Sequence, residues 1–142
     1  MSAGVVASFR WPDRPDVSSL GRAIGEAQGL EVVIREIPQA LSSSQVSGLT
    51  VVTAGTAQVF YDKNLSPLNR TQTILHEFAH ILHGDVSRAD GQTHAARSNQ
   101  SDLVERRAER TGTMLMERLH RKQRNSAVSE FFSGLDGFEN EA

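Results

Sequence analysis

The run Ile74-Leu75-His76-Glu77-Phe78-Ala79-His80-Ile81-Leu82 carries two superimposed patterns. Ile74, Phe78 and Leu82 recur at the spacing of one helix face. His76 and His80 stand in the same i, i+4 relation, so on a helix they lie about 40° apart, on the side opposite Ile74, Phe78 and Leu82. Both imidazoles can then reach one metal ion, and Glu77 beside them can take a proton from water that the ion activates. An apolar face backed by this His-Glu-x-x-His constellation is the arrangement that zinc peptidases use.

The flanks support a helix of this extent. Ser66-Pro67 supplies an N-cap followed by proline at the first helical position, and Gly84-Asp85 supplies a stop. His83 returns to the face of His76, but seven residues of helical rise separate their Cα atoms by roughly 10 Å, too far for one ion. A third ligand must come from elsewhere in the chain.

The best donor lies in Leu103-Val104-Glu105-Arg106-Arg107-Ala108-Glu109-Arg110-Thr111-Gly112. Leu103, Val104, Ala108, Thr111, Leu115 and Leu119 form a helical stripe, with Glu105 and Glu109 on an adjacent strip. A metal centre of this kind needs one carboxylate on the ion and a second acceptor to orient a histidine through its other nitrogen. Glu105 as ligand and Glu109 as orienter meet both needs, and the small residues Ala108 and Gly112 would let this helix approach the first closely. The alternative is that both carboxylates are solvated. Glu109 could pair with Arg106, whereas Glu105 has no basic residue three or four positions away.

From about Gly48 to Met116 the chain resembles the ImmA/IrrE family of zinc-dependent metallopeptidases. The resemblance rests on Val59-Phe60-Tyr61-Asp62 before Asn64-Leu65-Ser66-Pro67, on the His-Glu-x-x-His helix through Gly84, and on Val104-Glu105-Arg106-Arg107-Ala108-Glu109. It implies His76, His80 and Glu105 as ligands of zinc and Glu77 as catalytic base. It also implies a protein substrate: family members commonly cleave a separate helix-turn-helix repressor in stress or mobile-element responses. The chain departs from the family pattern at Glu109, where Asn or Asp is common, at Gly112, where Ala is common, and at Glu117, near the usual terminal Pro.

Composition bounds the remaining possibilities. The 142 residues suit a single domain, and 38% hydrophobic content suits a modest core. No apolar run reaches membrane-span length and no leader pattern opens the chain, so the expected location is the cytoplasm. The absence of cysteine excludes thiolate ligands and leaves an N/O metal site. A net charge of −2 gives no general affinity for nucleic acid, so direct nucleic-acid binding is not expected.

The expected architecture is α+β, with a small, mostly antiparallel sheet packed on helices in a zincin-like arrangement. Residues 1–16, with Trp11-Pro12 and Arg14-Pro15, read as irregular. Ser18 or Ser19 would cap a helix ending at Gln28-Gly29. Leu30 to Ile37 reads as a strand, and Leu49–Thr53 with Ala57–Tyr61 as a hairpin. A long polar loop, 85–100, joins the two motif helices, the second running to about Arg124. His94 in that loop is a possible helper for an oxyanion, although a solvated loop histidine is the ordinary reading. Tyr61 reads as a half-buried strand residue. Arg118, Arg121, Lys122 and Arg124 form a basic helix end, and residues 125–142 form an acidic tail with Phe131, Phe132 and Phe138. This tail either packs on the body or docks a partner, and packing is the expectation. A non-cleaving, metal-containing module that binds and regulates a partner is the alternative to a peptidase, and Glu77 argues against it because binding needs no base.

Overall fold

The computed structural model describes residues 2–41, 46–86 and 102–140. The elements in order are α1 (Ser2–Val6), α2 (Val17–Gln28), β1 (Glu31–Glu36), a short 3₁₀ turn (Gln39–Leu41), β2 (Gly48–Thr53), β3 (Thr56–Tyr61), α3 (Pro67–Leu82) and α4 (Asp102–Asn140). The class is α+β, with a three-stranded sheet packed against helices.

Local chemistry accounts for most element boundaries. At α2 the N-cap is Asp16, not either serine. Its carboxylate accepts from the Ser19 N–H at 2.7 Å while the Ser19 hydroxyl accepts from the Asp16 N–H at 2.9 Å. Ser19 is thus the far member of a capping box. Gly29 closes the helix at φ 70°, the left-handed region. Ala54 and Gly55, with φ of 49° and 82°, form the two-residue turn that joins β2 to β3.

The sheet order is β1-β3-β2. β2 and β3 pair antiparallel, but β1 pairs parallel with β3, from Glu31 opposite Thr56 to Glu36 opposite Tyr61. The sheet is therefore mixed rather than mostly antiparallel. The hairpin leaves one edge of β3 free, and the 37–55 excursion returns the chain in the direction of β1, so the open edge is filled in parallel.

α3 is the centre of the core. Its Ile74, Leu75 and Phe78 pack with Leu20 and Ile24 of α2 and with Val52, Ala57 and Val59 of the sheet. Leu115 and Leu119 of α4 join the same cluster. α4 lies over the opposite side of α3 and covers His80, which is fully buried, while Glu77 is fully buried on the sheet side against Thr50.

Both ends of the chain depart from expectation. Residues 2–6 are helical, and Val6 and Phe9 are buried. Trp11 stacks on Phe9 at 5.4 Å, donates its indole N–H to the Val6 carbonyl at 2.9 Å, and lies 5.5 Å beneath the Arg118 guanidinium. Residues 7–16, which hold both prolines, form no helix or strand, as expected, and only the first turn departs from an irregular segment. α4 continues to Asn140 instead of ending near Arg124. Phe131 and Phe132 are exposed on it, contrary to the expected packing of the tail on the body. No helix among the described residues is long and apolar enough to cross a membrane.

Leu115 is fully buried where α4 meets α3. Leu115→Ala is expected to destabilise the metal-free protein by about 2–5 kcal/mol, through lost burial and a residual cavity. Urea unfolding of both proteins measures this, and a loss below about 1 kcal/mol would show that α4 is not a structural partner of α3.

Candidate metal centre

The site is built where α4 crosses α3. Ser66 caps α3, its hydroxyl accepting from the Asn69 N–H at 3.2 Å, and Pro67 opens the first turn. One turn of helix then separates His76 from His80, and their rings lie 4.9 Å apart, edge to face. Gly112 of α4 sits directly against the α3 backbone. A Cβ at this position would lie 3.4 Å from both N and Cα of His76. With Ala108 fully buried on the same side, these small residues seat the helices closely enough for Glu105, two turns earlier, to reach both imidazoles.

Glu105 divides its carboxylate between them. Oε1 lies 3.0 Å from Nε2 of His76, and Oε2 lies 3.1 Å from Nε2 of His80. The ligating atoms of His76, His80 and Glu105 all lie within 4.8 Å of one another. Nε2 of His80 and Oε2 of Glu105 are buried, and despite their proximity neither makes a hydrogen bond among the described residues. Two buried polar atoms left without hydrogen bonds and converging on one point are costly unless something binds both. Two imidazole nitrogens and a carboxylate are a suitable donor set for a divalent ion such as zinc, with a coordination position left for water or substrate. The residues present fit the metal.

The carboxylate that orients an imidazole is Asp85, a residue the sequence reading passed over as a helix stop. His83 is the C-cap of α3 and Gly84 follows at φ 70°. The Asp85 N–H then donates to the His80 carbonyl at 2.9 Å, and the Gly84 N–H to the Ile81 carbonyl at 3.1 Å. This is a Schellman ending, and it folds Asp85 back over His80. Asp85 Oδ2 lies 2.9 Å from Nδ1 of His80, and the Arg107 guanidinium of α4 donates to Asp85 Oδ1. A carboxylate accepts only, so Nδ1 carries the proton and Nε2 presents its lone pair toward Glu105. The signal was present in Gly84: a glycine at that position places the next residue against the third-last residue of the helix.

Glu109, the expected orienter, is exposed. It lines a cleft of about 350 Å³ together with Gln72, His76, Gly112, Thr113, Met116 and Glu117. One turn beyond Glu105, it is exposed, and it is Asp85 that meets a cluster imidazole through its carboxylate. The cleft borders the cluster at His76 and does not reach Glu77 or His80.

Glu77 projects toward the sheet. The Thr50 hydroxyl of β2 donates to its Oε1 at 2.7 Å, and both residues are fully buried. Gly48 allows that approach, since a Cβ there would lie 2.4 Å from Cγ2 of Thr73 and 3.5 Å from Cγ of Glu77. Thr50 had no distinguishing mark in the sequence beyond its place in a strand. Tyr61 lies half-buried at the end of β3, with the Arg70 guanidinium 5.1 Å from its ring centre. His83 is not in the cluster; its Nε2 lies 2.7 Å from the Thr111 hydroxyl. His94 lies outside the described residues.

If the cluster binds a metal ion, Asp85→Asn is expected to weaken that binding by about 10–100-fold, whereas Glu109→Ala should leave it within a few-fold of wild type. Chelator competition reads both affinities, and the reverse ranking would return the orienting role to Glu109. A second expectation concerns pH. Burial, then the charge of Arg107, holds the His83 imidazole below its usual value of 6.5. Protonation of His83 therefore favours the unfolded chain, and its contribution to stability is complete above about pH 6.5 and declines as pH falls below it. His83→Gln should flatten the decline of urea midpoint between about pH 6.5 and 5 in metal-free protein. Identical slopes for the two proteins would remove His83 as the cause.

Comparison with known families gives one finding. The family model described as the IrrE N-terminal-like domain, a peptidase family, matches residues 26–119. That span takes in α3 and the part of α4 that carries Glu105. Neither the curated proteins nor the solved structures yielded a significant match. With most of its length covered by that family, and with both motif helices inside the match, the chain belongs to the ImmA/IrrE family of metallopeptidase-like proteins.

Proposed function

We propose that the protein is a zinc-dependent endopeptidase acting on another protein. The observation that supports this most directly is the convergence of His76, His80 and Glu105 with two buried ligand atoms lacking hydrogen bonds, on the helix that also carries Glu77. His76, His80 and Glu105 would hold the ion. When bound, zinc supplies Lewis-acid polarisation of a peptide carbonyl and lowers the pKa of water to near neutrality. Asp85 keeps the His80 ring in one orientation and one tautomer. Thr50 fixes the Glu77 carboxylate by donating to one oxygen. Glu77 accepts the proton that the attacking water gives up and returns it to the leaving nitrogen, so the peptide C–N bond breaks as the C–O bond forms. Burial keeps that proton from exchanging with bulk solvent during the transfer.

The substrate class comes from family resemblance: a helix-turn-helix repressor supplied as a separate protein, with cleavage relieving repression in a stress or mobile-element response. The cytoplasm is the compartment in which such a repressor would be met.

One observation favours a second reading. Glu77 is fully buried against Thr50, and the cleft beside His76 does not reach it. In a module that binds a partner without cleaving it, Glu77 would serve only to join α3 to the sheet. Glu77→Gln keeps the shape and removes the base. The peptidase reading expects metal content to be retained and cleavage of a cognate repressor to fall by about 10²–10⁴-fold. The binding reading expects equal partner affinity and no cleavage by either form. Cleavage by Glu77→Gln at the wild-type rate would falsify the proposed base.

A further inference from the structure

α4 changes character beyond Leu119. Up to that point its body-facing side is largely apolar, with Ala108, Leu115 and Leu119 buried, although Leu103 in the first turn is 74% exposed. Beyond it the body-facing side is polar. The Gln123 side chain donates to the Pro15 carbonyl at 3.1 Å, the Ser126 hydroxyl donates to the Asp13 carbonyl at 3.3 Å, and Glu130 pairs with Arg14 at 2.6 Å. At about 100° per residue, Leu119, Gln123, Ser126 and Glu130 share one side of the helix. Val128, Phe131 and Phe132 lie on the other, with Arg121 and Arg124 preceding them on the same strip.

That outer strip is unusually apolar for a solvent face. Val128, Phe131 and Phe132 are 53%, 64% and 56% exposed, and the two phenylalanine rings stack edge to face at 5.7 Å. The charges around it are ordered. Arg118, Arg121, Lys122 and Arg124 precede the apolar residues in sequence, and Asp136, Glu139 and Glu141 follow them. Such an order is complementary to itself when reversed.

We propose that this strip is a homodimer interface in which α4 pairs antiparallel with α4 of a second copy. A two-fold axis near residue 130 sets basic position 121 of one copy opposite acidic position 139 of the other. The same axis sets Val128 opposite Phe132. Each copy presents the same patch, so the contact closes as a two-fold pair. A parallel pair would set like charges against each other and is disfavoured. Glu130, nearest the axis in sequence, is turned away on the Arg14 side and does not meet its own copy. Pairing would also support the helix through Gly134 and Gly137, which weaken an isolated helix. This interface is independent of the peptidase reading.

Sedimentation equilibrium of the full chain, from micromolar to sub-millimolar concentration, tests the proposal. A concentration-dependent dimer is expected. The double variant Phe131→Glu/Phe132→Glu should weaken it by roughly tenfold or more, with metal content unchanged as evidence that the body remains folded. Arg121→Glu alone should weaken the dimer, and Arg121→Glu combined with Glu139→Arg should restore it, an outcome that nonspecific apolar association would not give. A monomer at every concentration overturns the proposal, as does a dimer indifferent to the phenylalanine substitutions. Failure of the paired charge exchange to restore association overturns the antiparallel register.

Discussion

The close seating of α4 on α3 is the contact on which the metal centre depends. His76 and His80 are already aligned by their own helix, but two imidazoles alone bind an ion poorly. Glu105 completes the set only because Gly112 rests against the backbone of His76 and Ala108 is buried beside it. A side chain larger than alanine at either position would press on α3 and hold the helices apart. The same seating buries Leu115 and Leu119, so the contact that stabilises the fold also assembles the ligands. It closes His80 and part of Glu105 away from water as well, which makes their ligand atoms costly to leave unbound.

A second constraint arises at the end of α3. The Schellman ending at Gly84 is a backbone device for satisfying the last carbonyls of a helix. Here it delivers Asp85 to Nδ1 of His80, and Arg107 from α4 holds Asp85 in turn. One turn of chain therefore terminates the helix, fixes the imidazole and ties the two motif helices together. On the other side of α3, Thr50 holds Glu77 to β2, and Gly48 gives the strand the clearance to come that near. The candidate ligands and Glu77 are thus anchored by different neighbours, the cluster by α4 and Glu77 by the sheet edge.

α4 has two lives along its length. Its first half is a core helix with a buried stripe. Its second half meets the body through polar groups and leaves Val128, Phe131 and Phe132 exposed. The Trp11 indole and Arg118 mark the transition, where the N-terminal segment crosses the helix. Helical periodicity alone showed apolar residues in both halves, but not that the body-facing side becomes polar beyond Leu119.

What the sequence by itself determined is what short-range geometry controls. The i, i+4 spacing placed His76 and His80 on one face, Ser66-Pro67 and Gly84 marked the ends of α3, and Ala54-Gly55 turned the hairpin, because each depends on backbone angles and hydrogen bonds within a few residues. The place of Glu105 in one cluster with His76 and His80 was also legible, from its unpaired surroundings on a helix with small residues. The approach of Asp85 to His80 was signalled by Gly84, whereas tertiary structure alone decided that Glu109 is exposed and that Arg107 of α4 meets Asp85. It likewise decided the parallel pairing of β1, the Thr50 partner of Glu77 and the outward turn of Phe131 and Phe132. Each of these joins residues distant in sequence, or depends on which side of a helix the rest of the chain covers, and no local periodicity encodes that choice.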